Sequence, residues 1–224
     1  MRILSIFLVL LLLTGSSLAA LTPLNKDVNT PIKSDVSGSS NRLGWVSIQT
    51  IPAAESTDDD QIFNATAGHL NLTTKLIITS SGNHSSYFLA QPDVPRNIIG
   101  TVNASTSLSV RINGTDISGA AISENLTWSS ASGAKATTRA FKTVDRVDAT
   151  LAAGQTNKTL KLGTGDLLGL NTKLTTNTVL LAALNDTKEG TAPAVTVNST
   201  VLSLNTIDTS GAPAGKVTKV WFVV

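Results

Sequence analysis

The sequence of 224 residues contains no cysteine, and this absence removes several classes of chemistry. Disulfides, thiolate metal sites, thiol nucleophiles and lipid attachment to a cysteine are all excluded. A chain of this length buries enough apolar surface to fold without disulfides. Its stability is therefore expected to come from a hydrophobic core and backbone pairing.

Charged and aromatic residues are also few. Asp, Glu, Lys and Arg make up 14% of the chain, with a formal net charge of +2, and the basic residues are scattered, so a nucleic-acid partner is not expected. Aromatic residues account for only 4%, which argues against a base-stacking platform and weakens the case for an aromatic sugar-binding strip. Trp45, Trp128 and Trp221 are predicted to pack in the core or between sheets.

Residues 1–19 have the pattern of a secretory signal peptide. Arg2 precedes an apolar run over residues 3–13, and small residues, including Ser17 and Ala19, follow it. The run of about eleven residues is shorter than the roughly twenty of a membrane-spanning helix, so a retained anchor is the less favoured alternative. We predict a signal helix, cleavage near Ala19, and a mature protein that is secreted or at the cell surface and free of the membrane.

Asn-x-Ser/Thr sequons are about twice as frequent as the serine and threonine content predicts at random. They make the following asparagines candidates for N-glycosylation: Asn64, Asn71, Asn83, Asn103, Asn113, Asn125, Asn157, Asn185 and Asn198. The alternative is that a chain rich in Ser and Thr contains sequons by accident. Their spread along the chain predicts a glycan-coated surface.

Apolar and polar residues alternate along much of the mature chain, as they do in β-strands. No stretch longer than about ten residues has the pattern of an amphipathic helix. Residues 20–43 are polar and are predicted to be a flexible linker or arm. Strands are predicted at residues 44–51, 72–78, 108–112, 122–128, 137–151, 158–162, 177–184, 194–204 and 216–224. The strands at 108–112 and 122–128 are predicted to form a hairpin, and Val220, Phe222 and Val224 are predicted to share one face of the last strand. Their spacing favours an all-β fold, an antiparallel β-sandwich of immunoglobulin-like or jelly-roll-like type over residues 44–224. A subdomain division near residue 91 is an alternative organisation.

Few patterns in the sequence suggest a reactive or ligand-binding site. Asp58, Asp59 and Asp60 are candidate calcium ligands, but a calcium site needs six to eight converging oxygens, so a solvated turn is favoured. The two histidines, His69 and His84, have neither zinc-ligand spacing nor a nucleophile motif.

Two further motifs have a structural interpretation. The glycines of Gly163 to Gly169 lack the Lys-Ser/Thr ending of a phosphate loop, which favours a turn between strands. Asp93 and Arg96 are predicted to form an ion pair across a tight turn, with a partner-docking loop as the alternative. We therefore predict no catalytic residue, metal or cofactor.

Several blocks occur in a fixed order between Gln91 and Val224. They are Pro92 to Asn97, Val110 to Asp116, Ala140 to Val144, Leu162 to Leu170, Asn177 to Leu180, Glu189 to Pro193 and Val220 to Val224. Together they resemble a family of small β-rich, virion-associated structural proteins of tailed phages and proviruses. The resemblance implies a role in virion structure. The signal peptide departs from that family, so the alternatives are a host surface protein built on this domain and a viral product displayed outside the cell.

We therefore predict a non-enzymatic extracellular structural or assembly protein, either a virion-like decoration or fibre or a cell-surface component. Its predicted partners are other proteins or further copies of itself, with surface glycans as an additional candidate. The alternative function is an exported carbohydrate-binding or adhesion module, which requires Trp45 and Tyr87 to be exposed beside a groove. A hydrolytic enzyme would require a converging pair of carboxylates.

Overall fold

The computed structural model describes residues 31–32, 44–63, 75–80, 90–153 and 159–224. The contacts within the chain divide it into two units, residues 1–46 and 47–224. The predicted signal peptide and most of the predicted arm lie outside the described residues.

In the first unit, β1 (Pro31–Ile32) pairs antiparallel with the start of β2 (Gly44–Ile51), with Pro31 opposite Trp45. The bounds predicted for β2 are confirmed. The prediction that Trp45 packs in a core is wrong, because 42% of this residue is exposed. Trp45 lies near the beginning of the strand, whereas the buried residues of β2, Gln49 and Ile51, lie near its end.

The second unit is built from β-strands and contains no α-helix among its described residues. The strands that follow β2 are β3 (Asp58–Phe63), β4 (Lys75–Thr79), β5 (Arg96–Thr115), β6 (Ala121–Ala136), β7 (Thr143–Leu151), β8 (Leu160–Gly169), β9 (Val179–Leu184), β10 (Thr187–Lys188), β11 (Ala194–Thr196), β12 (Thr206–Asp208) and β13 (Thr218–Val223). A 3₁₀ turn occupies Leu202–Leu204. Every strand pair whose register is described is antiparallel, so the predicted all-β antiparallel class is confirmed. Within the described part of the chain, no helix has the length and hydropathy needed to cross a membrane.

The long strand β5 organises the larger sheet. Its first part pairs with β8 and its second part with β7, while β6 follows it along the other side. The register of β5 against β6 shifts between Val102 and Leu108. The side chains of Leu126 and Trp128 of β6 lie against Gly100 of β5, where an added Cβ would lie 2.9 Å from both of them.

Two clusters of buried residues stabilise this unit. The first lies on the larger sheet and contains Phe63, Phe141 and Trp128, all at most 1% exposed. A smaller sheet contains β2, β13, β9 and β10 in that order, and β8 and β12 belong to the larger sheet. The second cluster includes Ile51, Val220 and Phe222 from the smaller sheet together with Leu168 and Ile207 from the larger one. The predicted alternation of the C-terminal strand is confirmed at Val220 and Phe222, whereas Val224 lies beyond β13 and is 55% exposed.

The prediction of a turn at Gly163 to Asp166 is wrong, because these residues lie inside β8. Gly163 allows the backbone of β3 to approach, since an added Cβ would overlap the carbonyl oxygen of Asp58. Gly165 leaves room for Asn97, whose side-chain Nδ2 would lie 2.7 Å from an added Cβ. These glycines therefore serve close strand approach rather than a change of chain direction.

Two predicted strands are shorter than expected. The strand predicted over residues 137–151 begins only at Thr143, because Ala140 and Phe141 bond to Ser203 and Arg96 instead. The strand predicted over residues 194–204 ends at Thr196. Asn205 interrupts it by donating from Nδ2 to the carbonyls of Asn198 and Val201, at 2.8 and 2.9 Å.

Candidate functional site

The predicted ion pair between Asp93 and Arg96 is confirmed, with Arg96 Nη1 3.2 Å from Asp93 Oδ1. Arg96 begins β5, is fully buried, and also donates from Nε to the carbonyl of Gly165 at 2.6 Å and from Nη1 to that of Glu55 at 3.0 Å. The second carboxylate oxygen of Asp93 accepts the backbone N–H of Glu55 at 2.5 Å. The guanidinium thus joins the segment before β3 to β5 and β8.

The burial of Arg96 argues against the alternative of a partner-docking loop centred on this residue. Its Nη2 is buried without a hydrogen bond, and Asp166 Oδ1 lies 4.0 Å away. The Asp166 side chain is 53% exposed and is the outer member of this group. The buried Arg96 therefore offers no surface to a partner.

The three adjacent aspartates lie in the strand β3, so the prediction that they form a solvated turn is wrong. Strand pairing is possible here because Gly163 has no side chain, which allows the backbone of β3 to lie close to β8. One carboxylate oxygen from each aspartate lies within 4.8 Å of the others. A hydrogen bond from the backbone N–H of Asp60 lowers the pKa of Asp58, whereas the hydrogen bond between the two carboxyls raises the pKa of Asp60.

Lys161 supplies the positive charge for this cluster. Its Nζ lies 3.4 Å from carboxylate oxygens of both Asp59 and Asp60, and these contacts raise the pKa of Lys161. The neighbouring amide oxygen of Gln61 accepts a hydrogen bond from Thr164 Oγ1 at 2.6 Å. A calcium ion at this cluster would have to compete with the ammonium group of Lys161 for the carboxylates of Asp59 and Asp60.

A second acidic group lies along β12 and the turn that follows β10. Partial burial, together with the nearby charges of Asp166 and Glu189, raises the pKa of Asp208. Glu189 is held in place because its Oε1 accepts hydrogen bonds from Ser210 Oγ at 3.0 Å and Gly211 N at 2.9 Å. The hydrogen bonds of Glu189 therefore join the turn after β10 to the segment after β12.

A surface cavity of about 220 Å³ lies between β9 and the segment that leads to β11. Its apolar residues include Val179, Leu180, Pro193 and Val195, and Asn177, Lys188, Glu189 and Thr191 supply polar groups. Leu180 is 57% exposed, the largest exposed fraction of any large hydrophobic residue in the described part of the chain.

No pattern in the sequence indicates this cavity. Two blocks of the family resemblance, Asn177 to Leu180 and Glu189 to Pro193, contribute to its lining, but the resemblance does not predict a cavity there. The consecutive leucines Leu180 and Leu181 gave no reason to expect one to be exposed. We call the cavity together with Leu180 the Leu180 surface.

The structure describes five of the nine predicted glycosylation sites. Asn103, Asn125 and Asn185 are exposed, whereas Asn113 and Asn198 are half-buried. Asn64, Asn71, Asn83 and Asn157 lie outside the described residues, as do His69, His84 and Tyr87.

Three of the described sequon asparagines use their side-chain oxygen as an acceptor. Asn103 Oδ1 accepts from the backbone N–H of Thr159 at 3.0 Å, Asn185 Oδ1 from that of Val217 at 2.9 Å, and Asn198 Oδ1 from that of Thr200 at 2.9 Å. Since a glycan is attached at Nδ2, these bonds do not occupy the atom that would be modified.

No family model, no curated protein and no solved structure matches this chain. The resemblance to virion-associated proteins therefore stays a prediction.

Proposed function

We propose that this protein is a non-catalytic extracellular structural or assembly protein, a virion-like decoration or fibre or a cell-surface component. The observation that carries the proposal is the Leu180 surface, where an exposed leucine adjoins an apolar cavity with a polar rim. An apolar centre surrounded by polar groups is the usual arrangement of a protein–protein contact. The signal-peptide pattern and the sequons support the extracellular location.

The domain we propose for this role is an antiparallel β-sandwich formed by the strands of the second unit. The buried cluster that contains Ile51, Leu168, Ile207 and Phe222 supports this arrangement, because its residues come from strands of both sheets. A rigid β framework suits an assembly component, since it fixes the position of Leu180 on β9.

The hydrogen bonds of two charged side chains also favour a structural role. Arg96 is bonded to Gly165 and Glu55, and Glu124 accepts hydrogen bonds from the backbone of Thr138 and Arg139 at 2.8 and 2.9 Å. Polar side chains used in this way fix loops and strand ends rather than activate a substrate.

Replacing Leu180 with aspartate is expected to weaken assembly about tenfold or more, because a charge at the centre of an apolar contact cannot be desolvated without cost. Cross-linking of intact cells or particles, followed by sequencing of the linked peptides, is expected to recover links near residues 179–195 from the wild type and few from Leu180→Asp.

Val224→Asp is the matched control. Val224 is exposed to a similar extent, at 55%, but lies outside the cavity lining. Equal loss of cross-links in both variants, or recovery of the wild type solely as a free monomer, would contradict the assembly role.

The exposure of Trp45 favours carbohydrate binding as a second candidate function. An exposed indole provides the flat apolar surface on which a sugar ring packs, and Trp45 is 42% exposed. Titration with cell-surface polysaccharide should show binding that Trp45→Ala abolishes and that Leu180→Ala leaves unchanged. If the wild type shows no binding to the polysaccharide, this candidate is rejected and the assembly proposal is unaffected.

A further inference from the structure

The outer edge of β6 is unpaired within the described part of the chain. β6 pairs along its length with β5, and no other described strand lies beside it. The register is continuous from Ala121, opposite Thr115, to Trp128, opposite Leu108. This stretch is therefore a regular strand with one free side.

The hydrogen bonds around Thr115 show which groups of β6 face that free side. Thr115 directs both backbone groups away from β6, because its N–H donates to Thr143 Oγ1 at 3.2 Å and its carbonyl accepts from Lys142 N at 2.7 Å. In an antiparallel pair, the backbone N–H and carbonyl groups of two opposite residues point either toward each other or away from each other. The two cases alternate along the strand. Ala121 therefore directs its N–H and carbonyl outward, as do Ser123, Asn125 and Thr127.

A hydrogen bond at the end of this stretch agrees with the alternation. Lys135 Nζ donates to the carbonyl oxygen of Thr127 at 2.5 Å, which places that oxygen on the side away from β5. The outward-directed groups from Ala121 to Thr127 span roughly 20 Å.

An open edge of this length is a template for pairing with another strand, and proteins commonly protect such edges with charged residues, proline or bulges. The outward-directed residues Ser123, Asn125 and Thr127 are all uncharged. The carboxylate of Glu124 is already bonded to Thr138 and Arg139. Among the side-chain hydrogen bonds described, one reaches an outward-directed backbone group of this edge. It is the bond from Lys135 Nζ, and it covers only the carbonyl of Thr127.

Asn125 is the sequon asparagine on this edge. Its side chain is exposed and has no hydrogen bond among the described contacts. Asn113 provides an internal comparison on the same face of the sheet, but it lies on the central strand β5, between Ser123 and Arg146. Asn113 is half-buried and donates from Nδ2 to the carbonyl of Arg146 at 3.4 Å.

We propose that Asn125 is an N-glycosylation site whose glycan covers the open edge of β6 and prevents that edge from pairing with a second copy of this chain. A second copy is the relevant partner because it presents the same uncharged edge. The inference rests on the proposed extracellular location. The glycan-covered edge of β6 is separate from the Leu180 surface, which we propose for assembly.

The first experiment maps the glycans of the protein secreted from a host that performs N-glycosylation. Peptides are released, deglycosylated enzymatically in heavy-oxygen water and sequenced by mass spectrometry. Asn125 is expected to be mostly modified and Asn113 mostly unmodified. A bare Asn125 in a chain whose other exposed sequons are modified overturns the inference, whereas an unmodified chain that retains residues 1–19 overturns the extracellular location as well.

The second experiment tests the edge itself by sedimentation velocity. Asn125→Gln removes the glycan and leaves the edge uncharged, so this variant is expected to associate, and Thr127→Ala should behave alike because it also destroys the sequon. Asn125→Lys removes the glycan but adds a charge to the edge, and Asn113→Gln leaves the edge unchanged. Both variants should associate no more than the glycosylated wild type does.

Amide hydrogen exchange locates the association. In Asn125→Gln, the backbone amides at Ser123, at the substituted position 125 and at Thr127 are expected to exchange more slowly as the protein concentration rises. If Asn125→Gln and Asn125→Lys sediment identically, or if protection appears elsewhere but not on β6, the role of the glycan as a cover for this edge is overturned.

Discussion

Replacing Arg96 with methionine is expected to lower the free energy of unfolding by about 3–5 kcal/mol, the usual cost of removing one partner from a buried ion pair. Methionine fills much of the same space but cannot donate hydrogen bonds. The carbonyls of Gly165 and Glu55 would lose their donor, and Asp93, whose side chain is only 16% exposed, would lose its counter-charge. Guanidinium-induced unfolding followed by circular dichroism measures the effect.

Arg139→Met is the matched control for Arg96→Met. The side chain of Arg139 is described with one hydrogen bond, from Nη1 to Ser203 Oγ at 3.2 Å, and the residue is half-buried. Its loss should therefore cost about 1 kcal/mol. Equal destabilisation by the two substitutions would contradict the view that Arg96 joins three segments of the chain.

The ion pair of Arg96 illustrates how much of the site is encoded locally. Asp93 is three residues away, so this pair follows from spacing in the sequence and was predictable. Gly165 is 69 residues away from Arg96 and Glu55 is 41 residues away. No local pattern identifies such distant partners, and hence the structural importance of Arg96 was not apparent from the sequence.

Much of the β class was predictable because burial on one face of a strand repeats every second residue. This period correctly predicted the hairpin of β5 and β6 and the buried residues Val220 and Phe222 of β13. The sandwich type and the signal helix stay predictions. The exposure of Trp45 and Leu180 was not predictable, since it depends on which other strands cover each side chain.

Glycines inside a strand are the clearest limit of the sequence argument. A glycine that permits a turn and one that permits close approach of a distant strand have the same local appearance. At Gly163 the cause is the backbone of Asp58, which lies far away in the sequence. The predicted turn is therefore wrong because Gly163 is required by the contact between β3 and β8, and no local pattern reveals that contact.

Gly163→Ala is accordingly expected to destabilise the protein by more than about 3 kcal/mol, beyond the usual range for overpacking, because the added methyl group meets backbone rather than a flexible side chain. It would overlap the carbonyl oxygen of Asp58 and lie 2.5 Å from its carbonyl carbon. Relief requires β3 to move off β8, which exposes Phe63, a residue that is fully buried in the first core cluster.

Gly190→Ala is the matched control for this substitution, since a Cβ added at Gly190 meets no heavy atom within 4 Å. Its unfolding free energy should stay within about 0.5 kcal/mol of the wild type, as for most surface substitutions. Guanidinium unfolding monitored by circular dichroism measures both variants. Since the expected loss at Gly163 depends entirely on the approach of β3, wild-type stability in Gly163→Ala would show that β3 does not pack on β8 as described.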